Sequence, residues 1–167
     1  MPTFRRGEVT GVLEERPGLQ RLDVLVDGVP ARAYALTDLV GGCAGDDLVV
    51  LDTTAVDLGL GTGGWHVVHW NLSRDGFEHP GPDHVMKLRY TSLQADVGTS
   101  ELRHPECDRP LGGTPVVACT VHSQVAMVAL GFADAAPGRR LAYVMPDGAA
   151  LQLALSDLVV RLRDRGL

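Results

Sequence analysis

The chain has 167 residues, of which 45% are hydrophobic and 22% charged, a composition typical of a folded globular protein. Its formal net charge of −6 and its lack of a dense lysine and arginine run argue against a nucleic-acid partner, because phosphate binding needs clustered cations. No stretch approaches the roughly 20 apolar residues that span a bilayer, and the first six residues lack a signal-peptide core. The three cysteines form no CxxC pair, which favours a reducing compartment. We therefore expect a cytoplasmic protein with no membrane partner.

Residues 1–72 have the pattern of short β-strands separated by turns. Asp27-Gly28 is a strong signal for a two-residue hairpin. The region predicts a small antiparallel β-barrel, with helix limited to a turn near Leu36 to Val40. The expected strands are Gly7–Glu14, Leu19–Val26, Val29–Ala35, Leu48–Leu51 and Trp65–Trp70.

A glycine-rich segment, residues 58–64, precedes the last of these strands. A dinucleotide-binding loop must open a helix, whereas Trp65–Trp70 has the pattern of a strand, so the segment fails that test. A tight backbone bend accounts for the glycines. Alternatively, the backbone N–H groups of Gly61, Thr62 and Gly63 hold an anion as a nest.

Residues 73–112 are rich in proline and glycine and predict a loop-rich connection with one strand, His84 to Tyr90. In such a strand Lys87 and Arg89 share one face, since alternate side chains point the same way. With His84 nearby, the two cations suit an anionic ligand. The alternative is a solvated edge strand that cations protect from pairing.

Residues 113–167 show two apolar runs, each followed by a helical pattern. The runs are Val116–Val121 and Leu141–Met145, and the helices are expected over Val125–Asp134 and Ala149–Arg165. This order predicts a partial Rossmann-like βαβα unit with a parallel sheet, so the predicted fold class is mixed α/β. Because two parallel strands cannot cover their own edges, we expect a homo-oligomer or a missing C-terminal half.

Ligands of parallel sheets bind beyond the carboxyl ends of the strands. His122 and Asp147 follow the two apolar runs and are the predicted catalytic acid/base pair. Ser123, Gln124 and Gly148 are predicted to bind the ligand at helix N-termini. The structural alternative is that Ser123 caps a helix, Asp147-Gly148 forms a turn, and His122 is a polar residue at a strand end.

Metal sites have little support in the sequence. His66 and His69 are three residues apart, so on a strand they point to opposite faces. His104 and Cys107 offer half of a zinc site without a second pair. We therefore predict no metal site, and the sequence identifies no cofactor.

Four blocks of the sequence together resemble a bacterial family catalogued as domain of unknown function 3866. The blocks are Thr53–Gly64, His84–Thr91, His122–Gln124, and Tyr143–Met145 with Asp147-Gly148. The resemblance runs from about Arg6 to the last residue. It implies no activity, but it implies that members are about twice as long, so that this chain corresponds to their N-terminal half.

Two hypotheses for function follow from these patterns. The first is an enzyme acting on a small anionic molecule, with His122 and Asp147 as acid/base and Lys87 and Arg89 as anion holders. The second is a non-catalytic module in which the glycine segment and helix N-termini bind a ligand or a partner chain. Substituting His122 and Asp147 by Asn separates them, because only the enzyme would lose turnover.

Overall fold

The computed structural model describes residues 1–60, 63–81, 85–107, 110–145 and 153–167. The chain divides into two compact units, Met1–Asp108 and Arg109–Leu167. The expected division at residues 72 and 112 stays a prediction.

The first unit is built around five strands. They are β1 Phe4–Arg16, β2 Leu19–Val26, β3 Val29–Ala35, β4 Leu48–Asp52 and β5 Trp65–Asn71. Two one-turn helices lie in the connections on either side of β4: α1 Thr37–Val40 and α2 Thr54–Asp57. The expected strands and the turn near residues 36–40 are thus confirmed. Helix α2 was not expected from the sequence.

The five strands close into a barrel with the order β1-β2-β3-β5-β4. Strand β1 pairs with β2 through Gly7–Arg16 and with β4 through Phe4–Glu8, and this second pairing closes the barrel. Strands β3 and β5 are parallel, so the expectation of a purely antiparallel barrel is wrong. This strand order, with a helix between β3 and β4, is the topology of the OB-fold.

Alternation of apolar and polar residues places the barrel core inside. Val9, Leu22, Val24, Val49 and Leu51 are at most 1% exposed, and each lies on the inner face of its strand. Because inward and outward residues alternate, the residues between them, such as those at 21 and 23, face outward. The outer face of the barrel is therefore where polar and aromatic side chains collect.

Two glycines have a clear geometric reason. Gly7 pairs with both Val26 and Val49, where β1 is shared between two neighbours, and a Cβ there would lie 2.6 Å from the Leu51 side chain. Gly28 has φ +77° and Asp27 φ +52°, the backbone of the expected two-residue hairpin.

The loop after β5 is fastened to the segment after α1. The guanidinium of Arg74 donates to the carbonyl of Gly42 and lies over the ring of Phe77. Gly41 has φ +70°, and a Cβ on it would overlap both of these side chains. Beyond this loop the unit contains a small antiparallel sheet of β6 Val85–Lys87 and β7 Ala95–Val97, helix α3 Ser100–Arg103 and a 3₁₀ turn Pro105–Cys107.

The second unit contains two helices and one 3₁₀ turn in its described ranges, joined by irregular segments. Helix α4 spans Gln124–Ala135, close to the expected Val125–Asp134. The final helix, α5, spans only Asp157–Asp164 and follows a 3₁₀ turn, Leu153–Leu155, so the long helix expected from Ala149 is wrong over its described part. Val125, Ala129 and Leu162 form a small core against which Tyr143 and Leu158 pack.

The predicted parallel sheet is absent from the part of the chain that the structure describes. Val116–Val121 and Leu141–Met145 have no strand pairing, and Val116, Val117 and Val144 are 72%, 64% and 77% exposed. An apolar run forms a strand only where a neighbour accepts its backbone hydrogen bonds and a layer covers its side chains, and in the described residues these runs have no strand neighbour and leave most of their valines exposed. The Rossmann-like unit is therefore a wrong prediction, whereas the expected homo-oligomer or missing C-terminal half stays a prediction.

No helix within the described ranges is long and apolar enough to cross a membrane.

Candidate functional site

The outer face of β2, β3 and β5 carries a cluster of one indole and two guanidinium groups. Trp65 begins β5 and pairs with Arg32 on β3, while Arg21 lies on β2. The guanidinium carbons of Arg21 and Arg32 lie 5.2 Å and 5.4 Å from the centroid of the Trp65 ring. Both distances are within the range of a cation–π interaction. We call these three residues the tryptophan–arginine cluster.

Strand alternation explains why the cluster is outside. On β3, Ala33 and Ala35 are fully buried, so Arg32 and Tyr34 face outward. Tyr34 pairs with Arg21 of β2 and is half-buried beside the cluster. Burial, together with the nearby charge of Asp52, raises the pKa of its hydroxyl. Tyr34 is therefore a neutral hydrogen-bonding group near two cations.

The two arginines differ in their ionic surroundings. Arg21 donates from Nη1 to Oε2 of Glu14 at 3.0 Å, so a carboxylate already shares its charge. Arg32 is exposed and makes no ion pair or hydrogen bond among the residues that the structure describes, although Asp23 is its register partner on β2. The guanidinium of Arg32, which lies over the Trp65 ring, is therefore positioned to bind an anion.

Gly63 lies beside the indole of this cluster. A Cβ on Gly63 would lie 3.5 Å from Cδ1 of Trp65, and the residue has φ +64°. The end of the glycine-rich segment thus borders the cluster, and it leads into strand β5 instead of a helix. Gly61 and Thr62 lie outside the described residues.

The two histidines of β5 have different surroundings, which fits their expected opposite directions. His66 is 7% exposed, and its Nδ1 has no hydrogen-bond partner within the described residues. Burial lowers the pKa of His66, although the charge of Asp57 acts in the opposite direction. His69 is half-exposed, and its ring lies 4.7 Å from that of Phe4. Within the described ranges no three His, Cys, Asp or Glu side chains are grouped to hold a metal ion.

A second cluster lies in the second unit around His122. Its Nδ1 is 2.9 Å from the hydroxyl of Tyr143, and its Nε2 is 2.6 Å from Oγ of Ser156. Ser156 is 3% exposed and is the N-cap of α5, where its Oγ accepts from the backbone N–H of Val159 at 3.2 Å. Sequence reasoning identified His122 but missed Ser156 and Tyr143. A serine before Asp157 and an apolar helical pattern is an N-cap signal that could have found Ser156.

Ser123 and Gln124, the other predicted site residues of this unit that the structure describes, do not join that cluster. Ser123 precedes α4, but its side chain makes no capping hydrogen bond. The side-chain oxygen Oε1 of Gln124 accepts from the backbone N–H of Thr120 at 2.9 Å, which fixes the turn before α4. Asp147 and Gly148 lie outside the described residues, so the predicted pairing of His122 with Asp147 stays a prediction.

The expectation that Lys87 and Arg89 share one face of a strand is wrong. Strand β6 ends at Lys87, and Leu88 and Tyr90 have φ +50° and +64°, so the chain turns there. Arg89 donates from Nε to the carbonyl of Met86 at 3.4 Å within this turn. Their predicted role as anion holders has no shared face to support it, and His84 lies outside the described residues.

The model of the family described as "Protein of unknown function (DUF3866)" matches residues 32–167, which is most of the chain. No curated protein and no solved structure matched. The matched region begins within β3 and extends through the rest of the barrel and the whole second unit. The chain therefore belongs to the DUF3866 family of proteins of unknown function.

Proposed function

We propose that the barrel is a ligand-binding module whose tryptophan–arginine cluster holds a small organic anion with a flat apolar part. The observation that carries this proposal is the placement of two guanidinium groups within 5.4 Å of the Trp65 ring centroid. A guanidinium stacked on a ring uses its face for the ring and keeps N–H donors at its edge for an oxyanion.

The position of the cluster on the fold adds support. OB-fold barrels take ligands on the face of strands 2 and 3 and at the connection between strands 4 and 5. Here Arg21 and Arg32 lie on β2 and β3, and Gly63 belongs to the connection between β4 and β5. This support is a fold-level analogy, so the proposal depends on the cluster itself.

The charge of the barrel favours a small ligand over a polymer. Residues 1–72 contain five arginines and ten acidic residues, and they contain no lysine. A polyanion would have to approach this excess of carboxylates along its length, whereas a single phosphate or carboxylate needs to approach only Arg32 and Arg21, the second of which is already paired with Glu14. Nucleic acid therefore stays excluded from the proposal, as the sequence predicts.

Trp65 fluorescence provides a direct test. The chain has two tryptophans, and Trp70→Phe leaves Trp65 as the single reporter. We expect adenosine monophosphate to change its emission saturably, with weaker responses to adenosine and to inorganic phosphate. Arg32→Gln removes one charged hydrogen-bonding group, a loss of about 1.5–3 kcal/mol, and should raise Kd by roughly 10- to 100-fold.

Arg6→Gln is the matched control, because Arg6 is an exposed arginine of β1 whose register partner is Val50 on β4. It makes the same charge change and should leave the Kd within about twofold, as expected for exposed residues outside a site. A cluster that responds to none of the three probes would refute the proposal. Tighter binding of oligothymidylate than of the monophosphate would refute the preference for small ligands.

A further inference from the structure

The hydrogen-bonded chain Ser156–His122–Tyr143 has the geometry of an activated hydroxyl. Oγ of Ser156 is 2.6 Å from Nε2 of His122, within the reach at which a base takes a proton from a nucleophile. The other ring nitrogen is 2.9 Å from the Tyr143 hydroxyl, so both nitrogens are engaged and the ring orientation is fixed. The two hydroxyls come from residues 21 and 34 positions away in sequence.

We propose that Ser156 is a nucleophile that His122 activates, and that this unit hydrolyses esters of short apolar carboxylic acids. This activity is separate from ligand binding at the barrel. The required tautomer has a proton on Nδ1, which donates to the Tyr143 oxygen and leaves Nε2 to accept from Ser156. Tyr143 is then a positioning residue, because it acts only through the imidazole.

The backbone around Ser156 suits the developing negative charge of acyl transfer. Ser156 immediately precedes α5, a helix of eight residues. Of the opening N–H groups of α5, that of Val159 is bonded to Ser156 Oγ itself, and the N–H groups before it point out of the helix end. Such N–H groups are what an oxyanion hole requires near the attacked carbonyl. A serine at this point places its Oγ and these donors on the same end of the helix.

A cleft lined mainly by aliphatic side chains lies beside Tyr143, the partner of His122, and suggests the kind of acyl group. The cleft has a volume of about 150 Å³, and its walls include Tyr143 and Val159, which are the partner of His122 and the residue capped by Ser156. Most of its other lining side chains are aliphatic, with Arg163 as its cation. A space of this size with aliphatic side chains around it can take a short hydrocarbon chain but is too small for a sugar chain or a peptide.

The reaction balances with water as the second reactant. Ser156 Oγ bonds to the ester carbonyl carbon as its proton passes to Nε2 of His122. The bond from that carbon to the alcohol oxygen breaks, and the alcohol leaves with the proton from Nε2. Water then attacks the acyl-serine and gives a proton to Nε2, the carboxylic acid leaves, and the proton returns to Ser156.

The full-length protein can be tested with a small fluorophosphonate and with 4-nitrophenyl butanoate. We expect one covalent adduct, which peptide mapping places on Ser156, and slow release of 4-nitrophenol. His122→Ala should slow both reactions by about 100-fold or more. Ser156→Asn keeps an oxygen for helix capping but removes the nucleophile, so it should give no adduct.

Two further variants separate chemistry from folding. Ser123→Ala removes an exposed hydroxyl next to His122 and should label like the wild type. Tyr143→Phe should shift the pH of half-maximal labelling rate, which a purely packing role would leave unchanged. Absence of an adduct on the folded wild type, an adduct elsewhere, or labelling unaffected by His122→Ala would each overturn the proposal.

Discussion

Replacing Gln20 by leucine should loosen the barrel where β2 meets the segment after α1. Gln20 is 6% exposed, and its Oε1 accepts from the backbone N–H of Cys43 at 2.7 Å. Its Nε2 makes only a longer contact, 3.3 Å, with Glu15. Leucine has a similar size but no acceptor, so Gln20→Leu would leave the Cys43 N–H buried and unpaired.

The expected cost follows from that single lost acceptor. A buried donor left without a partner lowers the free energy of unfolding by about 1–3 kcal/mol, which is more than the net contribution of an ordinary hydrogen bond. In a domain of roughly 100 residues this lowers Tm by about 5–20 °C. The loss can be measured by urea unfolding with tryptophan emission as the signal, because both tryptophans of the chain, Trp65 and Trp70, lie in β5.

Glu15→Gln is the control, since it weakens only the longer contact and should change the unfolding free energy by about 0.5 kcal/mol or less.

The reactivity of Cys43 gives a second measurement. Cys43 is buried, and burial raises the pKa of its thiol. Gln20→Leu should therefore speed the reaction of this thiol with a disulfide reagent. An unfolding free energy for Gln20→Leu within 0.5 kcal/mol of wild type would refute the role given to this side chain.

Three further expectations concern single positions. Because burial lowers the pKa of His66, the folded protein binds a proton there less readily than the unfolded chain, so the folded state loses stability as the pH falls below about 6.5. His66→Leu should flatten the pH dependence of the unfolding free energy in this range. Equal slopes for the variant and the wild type would contradict this role of His66. Gly41→Ala should destabilise the barrel by more than about 1 kcal/mol, because φ is +70° and side chains already fill the space, whereas Gly45→Ala, with open space around it, should not; thermal unfolding compares them. Ser156→Ala removes a helix cap and should cost about 0.5–2 kcal/mol in urea unfolding, while Ser123→Ala, which removes no cap, should be near neutral; equal effects would show that the cap does not matter.

The barrel could be predicted from sequence because its signals are local. Leu22 and Val24 alternate with outward residues within one strand, and Asp27-Gly28 fixes the turn to the next. Helix α2 escaped prediction because it is one turn long and has no apolar period; the Asp52 carboxylate, which accepts from the Thr54 N–H at 2.9 Å, helps to start it. The parallel pairing of β3 with β5 joins strands that a local pattern cannot relate.

The predicted α/β unit failed for a related reason. Val116–Val121 has the composition of a buried strand, but burial is a property of what covers a segment and not of the segment alone. The two candidate sites depend on the same kind of information. Trp65 meets Arg32, and His122 meets Ser156, only after the chain has brought distant segments together.

The way β1 closes the barrel bears on where this protein can be cut. The family match starts at Arg32, within β3, so it omits β1 and β2, which supply the partners of β3 and β4. A fragment that begins at Arg32 would leave the free edges of β3 and β4 unpaired and expose Val49 and Leu51 to water. We therefore expect a fragment limited to the matched residues 32–167 to aggregate on expression.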